Sequence, residues 1–210
     1  MSKSWLGGIA FLLGTAILGT SVTLGNTVAT ITDSGGAHSR KVRPEDPGTW
    51  NFDLTVEVAT DANLVSGQFY ITDVGHTGTL TINSVTYNDP PWDSGGALPF
   101  VGPQTLNASN GYTTTDIGAM ALDLVNGVTG TQTFITFNVS VMPAAGQNYV
   151  LQLTNLFFGN TAWEEDPSTA GPAYQITVTP EPETAVLGFV SLCLAGWLKG
   201  RRRVAVPVPA

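Results

Sequence analysis

Two tryptophans in this 210-residue chain stand directly beside carboxylates: Trp92 precedes Asp93, and Trp163 precedes Glu164, Glu165 and Asp166. An indole offers a flat apolar face to a sugar ring, and a neighbouring carboxylate accepts hydrogen bonds from its hydroxyls. The pairing points to carbohydrate contact. Both tryptophans fall in stretches dense in turn formers, "NDPPWDSGGALPFVGPQTLNASNG" (88–111) and "TAWEEDPSTAG" (161–171). The competing expectation is that they pack to close the ends of the fold.

The same acids invite two other chemistries. Glycoside hydrolysis needs two carboxylates across the scissile bond, and Asp89, Asp93, Glu164, Glu165 and Asp166 would be the candidates. Calcium prefers clustered oxygen ligands, which "EED" or "NDPPWD" would help supply, though neither has EF-hand spacing. Nucleophilic catalysis usually needs a base beside its nucleophile, yet the only histidines are His38 and His76. The one cysteine, Cys193, lies in a C-terminal apolar run, so the middle of the chain has no thiolate ligand and no disulfide. No zincin histidine pair, P-loop or dinucleotide fingerprint occurs. The expectation is a binding protein, not an enzyme, with no cofactor and no metal site.

Charge narrows the partners. The formal net charge is −8, and no lysine or arginine occurs between Pro44 and Leu198, where fifteen of the sixteen acidic residues lie. Such a surface repels phosphate backbones and excludes nucleic acid. It suits an exported, soluble domain.

The elements that must position these residues have the period of a β protein. Leu54, Val56 and Val58 alternate with Thr55 and Glu57; Val65, Gly67, Phe69 and Ile71 alternate with Ser66, Gln68 and Tyr70. Ile135 to Val141, Tyr149 to Leu153 and Tyr174 to Val178 repeat the pattern, with weaker runs at Thr79–Tyr87 and Ala119–Leu124. Alternation buries one face of each strand and wets the other, as antiparallel sheets do. Seven or more short strands without a helical period predict an all-β, antiparallel two-sheet sandwich over 49–179.

The two ends read differently. Met1 to Leu18 places one lysine before an apolar stretch, the plan of a signal peptide, and Thr27-Val28-Ala29 would allow cleavage after Ala29. The small residues Gly19-Thr20-Ser21 also qualify. A Gly-, Pro- and charge-rich linker is expected over 30–48. Near the C-terminus, Thr184 to Leu198 is uncharged, about 22 Å long as a helix and so short for a hydrocarbon core of about 30 Å. Pro180 and Pro182 suit a helix start, and Arg201, Arg202 and Arg203 would stay on the cytoplasmic side. A short transmembrane helix is expected here.

Pro180-Glu181-Pro182, the apolar run and the arginine cluster together resemble a PEP-CTERM sorting signal (180–203), followed by a tail, "VAVPVPA" (204–210). The resemblance implies a Gram-negative bacterium that makes extracellular polysaccharide. It also implies processing by an exosortase-type membrane peptidase and residence at the envelope, surface or matrix. The β block is similar to cohesin-type and carbohydrate-binding-module sandwiches through "NFDLTVEV", "LVSGQFYI", "TFITFNVSV" and "GQNYVLQL". That likeness implies a nine-stranded jelly roll that binds protein or sugar and catalyses nothing. The combined expectation is adhesion, or carbohydrate or protein binding, in exopolysaccharide or biofilm. The alternatives are a secreted glycan-active enzyme using loop carboxylates, or a spacer without a small ligand.

Overall fold

The computed structural model describes residues 26–98, 100–142, 144, 147–179 and 182–201. Among these residues, twelve strands and one α-helix form, in the order β1 (Thr27–Asp33), β2 (Ser39–Val42), β3 (Asn51–Asp73), β4 (Leu80–Tyr87), β5 (Trp92–Leu98), β6 (Gln104–Leu106), β7 (Ile117–Ala121), β8 (Val128–Val141), β9 (Asn148–Asn160), β10 (Glu165–Asp166), β11 (Ser168–Ala170), β12 (Tyr174–Val178) and α1 (Pro182–Arg201).

The 23-residue β3 organises the rest. Its first half pairs with β1 on one side and β8 on the other, and its second half pairs with β7 and β9. The pairing changes hands over Thr60–Leu64, where the register shifts. One layer therefore reads β11-β1-β3-β8-β4-β6 and the other β5-β7-β3-β9-β12-β2. All pairs are antiparallel except two at the edges, β1 with β11 and β12 with β2. The all-β, two-layer expectation holds, with these parallel edge pairs as an addition.

Alternation explains the core. Leu54, Val56, Val58, Phe69 and Ile71 of β3 are buried, as are Phe137, Val139, Tyr149 and Leu151 from β8 and β9. A bulge opposite Val56/Glu57 lets the consecutive Phe134 and Ile135 both enter the core. Phe134 then meets Trp92 at 4.8 Å, Phe69 at 5.5 Å and Phe158 at 6.2 Å between ring centroids. Gly67 makes room for this cluster, because a Cβ there would lie 2.6 Å from Phe158 and 2.9 Å from Phe134.

Three expectations need correction. The stretch 30–48 is not simply a linker, because it contains most of β1 and all of β2. Small or polar residues at buried positions of β1, Thr27, Ala29 and Thr32 among them, hide the strand period. The turn-rich stretch 88–111 holds β5 and β6, stitched to β7 and β4. Finally, the expected transmembrane helix forms as α1, but no helix among the described residues is long and apolar enough to cross a membrane. Its uncharged part ends between Glu183 and Lys199, so about 22 Å of apolar helix remains. Segments 1–25 and 204–210, with Pro180, Glu181, Arg202 and Arg203, lie outside the described residues; Arg201 closes α1.

Candidate functional site

The sequence-predicted residues do not assemble into one site. Trp92 opens β5 with 0% exposure, its indole against Phe134, so it is core and cannot stack on a ligand. The flanking prolines and glycines disguised a strand residue as a loop residue. Asp93 follows it, paired with Met120 of β7. Trp163 is 66% exposed at φ +62° in a turn closed by its own N–H to the Asn160 carbonyl, at 2.9 Å. Glu164 and Glu165 are exposed beside it.

Asp166 turns inward and is 1% exposed, which removes it from any surface chemistry. Its Oδ2 pairs with the Thr27 hydroxyl, whose oxygen lies 2.8 Å from Thr60 Oγ1. A hydroxyl has a single proton, so Thr27 donates to the carboxylate and accepts from Thr60. Thr60 in turn accepts from the Ala62 N–H at 3.0 Å. This relay sits where β3 changes sheets and is structural. Among the described residues, no group of three or more His, Cys, Asp or Glu could hold a metal ion.

A different site emerges on the outer face of the second layer. Phe69 and Ile71 point into the core, so Tyr70 and Thr72 of β3 face outward. Chain segment 112–116 runs beside them: Asp73 N–H donates to the Tyr112 carbonyl at 2.9 Å and Thr114 N–H to the Ile71 carbonyl at 3.0 Å. Thr114 is buried and its Oγ1 accepts from the Ile71 N–H at 3.0 Å, which locks the segment against β3.

Two polar rows result across β3, β9 and the segment 112–116. Thr72 Oγ1 lies 3.1 Å from Thr113 Oγ1 and 2.8 Å from Thr154 Oγ1. In the next row Tyr70 stands between Asp116 and Asn155. The Asp116 carboxylate, as hydrogen-bond acceptor and as charge, holds the Tyr70 phenol above its ordinary pKa, while Asn155 opposes this. Asn155 reaches that place from a left-handed backbone, φ +50°, where β9 shifts register against Gln68/Tyr70.

The segment 101–105 forms the far wall of an open groove of about 1000 Å³. Tyr70, Gln104, Thr105, Thr113, Thr115 and Asp116 line it. Gln104 clamps the wall to the floor, donating to Thr115 Oγ1 at 2.7 Å and accepting from the Thr115 N–H at 2.9 Å. Asp116 Oδ1 is buried without a hydrogen-bond partner. The groove thus offers an aromatic ring and hydroxyls, with an unpartnered carboxylate oxygen enclosed behind its lining. Sequence reasoning missed it; the available signal was Tyr70, an aromatic at an outward position of an alternating strand.

No family model matches the chain, and no curated protein matches it by sequence. Solved structures do share its architecture. A chain of the CaDoc0917–CaCohA2 complex aligns with TM-score 0.51 at 12% identity, over 73% of this chain and 99% of that one. A type I cohesin–dockerin complex from Clostridium thermocellum gives TM-score 0.50 at 6% identity, over 75% and 95%. The likeness is one of fold: this is a cohesin-like β-sandwich.

Proposed function

We propose that the chain is an exported recognition module, non-catalytic, sorted to the cell envelope or matrix of a Gram-negative bacterium through its C-terminal segment. The observation that carries the sorting half is the character of α1. Val186, Leu187, Phe189, Val190, Leu192, Leu194 and Trp197 are all exposed over more than half of the circumference, and the remaining face carries the small, uncharged Gly188, Ser191 and Ala195. A helix apolar on all sides needs apolar surroundings. A short span with flanking basic residues can reside in a membrane through snorkelling and local thinning. That suits transient residence during processing by an exosortase-type peptidase, with Pro180-Glu181-Pro182 as the recognition mark and Arg201, Arg202 and Arg203 fixing orientation.

The recognition half is supported by the cohesin-like fold, which in the structures above occurs in complex with partner proteins. The inward placement of Asp166 disfavours the glycan-active enzyme, since its richest carboxylate cluster loses a member to the core. The test is the intact mass of the protein from medium and envelope fractions of the native host. A species ending close to Pro182 is expected. Finding only full-length, membrane-bound chain would remove the sorting assignment.

A further inference from the structure

We infer that the groove beside Tyr70 is a binding site for neutral polysaccharide. The inference deepens the recognition-module reading and rests on it. A neutral glycan presents hydroxyls, which need a mixed set of donors and acceptors, and weakly polar ring faces, which need a flat apolar surface. The groove supplies both. Thr105 and Thr115 carry exposed hydroxyls whose hydrogen-bonding capacity is only partly used, by Thr81 and by Gln104, while the Thr113 hydroxyl is held by Thr72 and the Gly111 carbonyl. Tyr70 stands at the centre of its row between Asp116 and Asn155, an aromatic body with a polar tip. The volume, about 1000 Å³, falls at the upper end of the range for small-ligand sites, and its open form admits a chain passing through.

Charge excludes the acidic alternatives. Among the described residues, the lining has one carboxylate and no cation. The only lysine and arginines of the described sandwich, Arg40, Lys41 and Arg43, lie on or just after β2. β2 is four strand spacings from β7, about 19 Å at the usual interstrand distance, and so beyond a Debye length of about 8 Å at physiological salt. Arg40 is moreover engaged over the Phe52 ring at 4.4 Å. Uronate, sulfate or phosphate groups entering the groove would meet Asp116 uncompensated. The geometry selects a polyhydroxylated ligand without charge.

Affinity electrophoresis of the full-length chain through gels containing dextran, mannan or laminarin, with alginate as the anionic comparison, tests this. Retardation by at least one neutral polymer and none by alginate is expected. Tyr70→Ala should weaken the retardation at least about tenfold, the loss of one good contact, while Tyr70→Phe keeps most of it. Thr105→Trp, at the exposed wall, should block the groove without touching the core, which covers a folding failure of Tyr70→Ala. Retardation by alginate alone, or retardation unchanged in Thr105→Trp, would overturn the inference. So would migration unaffected by all three neutral polymers; in that case a correctly sorted protein would leave the broader reading standing.

Discussion

The Thr27 hydroxyl donates to the carboxylate of Asp166, joining two residues 139 positions apart inside the sandwich. Through Thr60 the same hydroxyl is tied to the point where β3 passes from one sheet to the other. The first strand is therefore part of the folded unit from its first residue.

Processing on the proposed export route would have to respect that strand. Cleavage after Ala29 would remove Thr27, Val28 and Ala29, which pair with Ser168, Thr169 and Ala170 of β11, and Val28 and Ala29 also pair with β3. The mature N-terminus is expected upstream of Thr27, near the small residues Gly19-Thr20-Ser21. N-terminal sequencing of the exported protein reads this directly. A mature chain starting at Thr30 would show that the relay is dispensable. Thr27→Val, which leaves Asp166 buried without its donor, should cost about 1–3 kcal/mol in urea unfolding.

The two tryptophans should behave oppositely. Trp92→Ala empties a core site against Phe134 and is expected to cost about 3–5 kcal/mol. Trp163→Ala, on an exposed turn, should stay within about 0.5 kcal/mol. Chemical denaturation of both variants would tell them apart, and equal stabilities would contradict the core placement of Trp92.

Gly67 is required by space and not by backbone freedom. An added methyl meets the rigid rings of Phe158 and Phe134, neither of which has a flexible end to yield. Gly67→Ala should destabilise by about 1–3 kcal/mol, as overpacked cores do. The companion Phe158→Leu, made in the Gly67→Ala background, should recover part of the loss by removing ring atoms.

Tyr174 gives an alkaline signature. Burial, with Asp33 as a lesser contributor, raises its phenol from 10.0 to about 12. A folded pKa above the unfolded one means that the stability is fully present below about pH 10 and is lost as pH rises towards about 12. Phenolate absorbance should show several tyrosines titrating late, with a last phase at about 12 that is absent in Tyr174→Phe, and that variant should lose less stability across the same pH window.

The sheet was legible in the sequence wherever apolar residues alternate, as at Leu54, Val56 and Val58, because periodicity reports which face is dry. Trp92 escaped this, since prolines before it and glycines after it erase the period around a single buried ring. Asp166 escaped for another reason: an acid in a run of acids looks solvated, and only the distant Thr27 explains its burial. The groove depends on long-range pairing. Tyr70, Asp116 and Asn155 meet because β3 pairs with two segments far along the chain, and no local pattern encodes such a meeting.

The passage of β3 through both layers has a consequence for how the molecule can come apart. Each layer owes an interior strand to one half of the same continuous segment, so neither can separate while the other stays intact. Slipping that segment by one residue would turn the dry side of both layers outward at once. Folding should accordingly be a single cooperative event, slowed by the wide sequence separation of its pairings, and a partly open form exposing one sheet edge should be scarce. Such all-or-none behaviour limits the exposure of edges that proteases and neighbouring chains exploit, as the proposed life outside the cell would require.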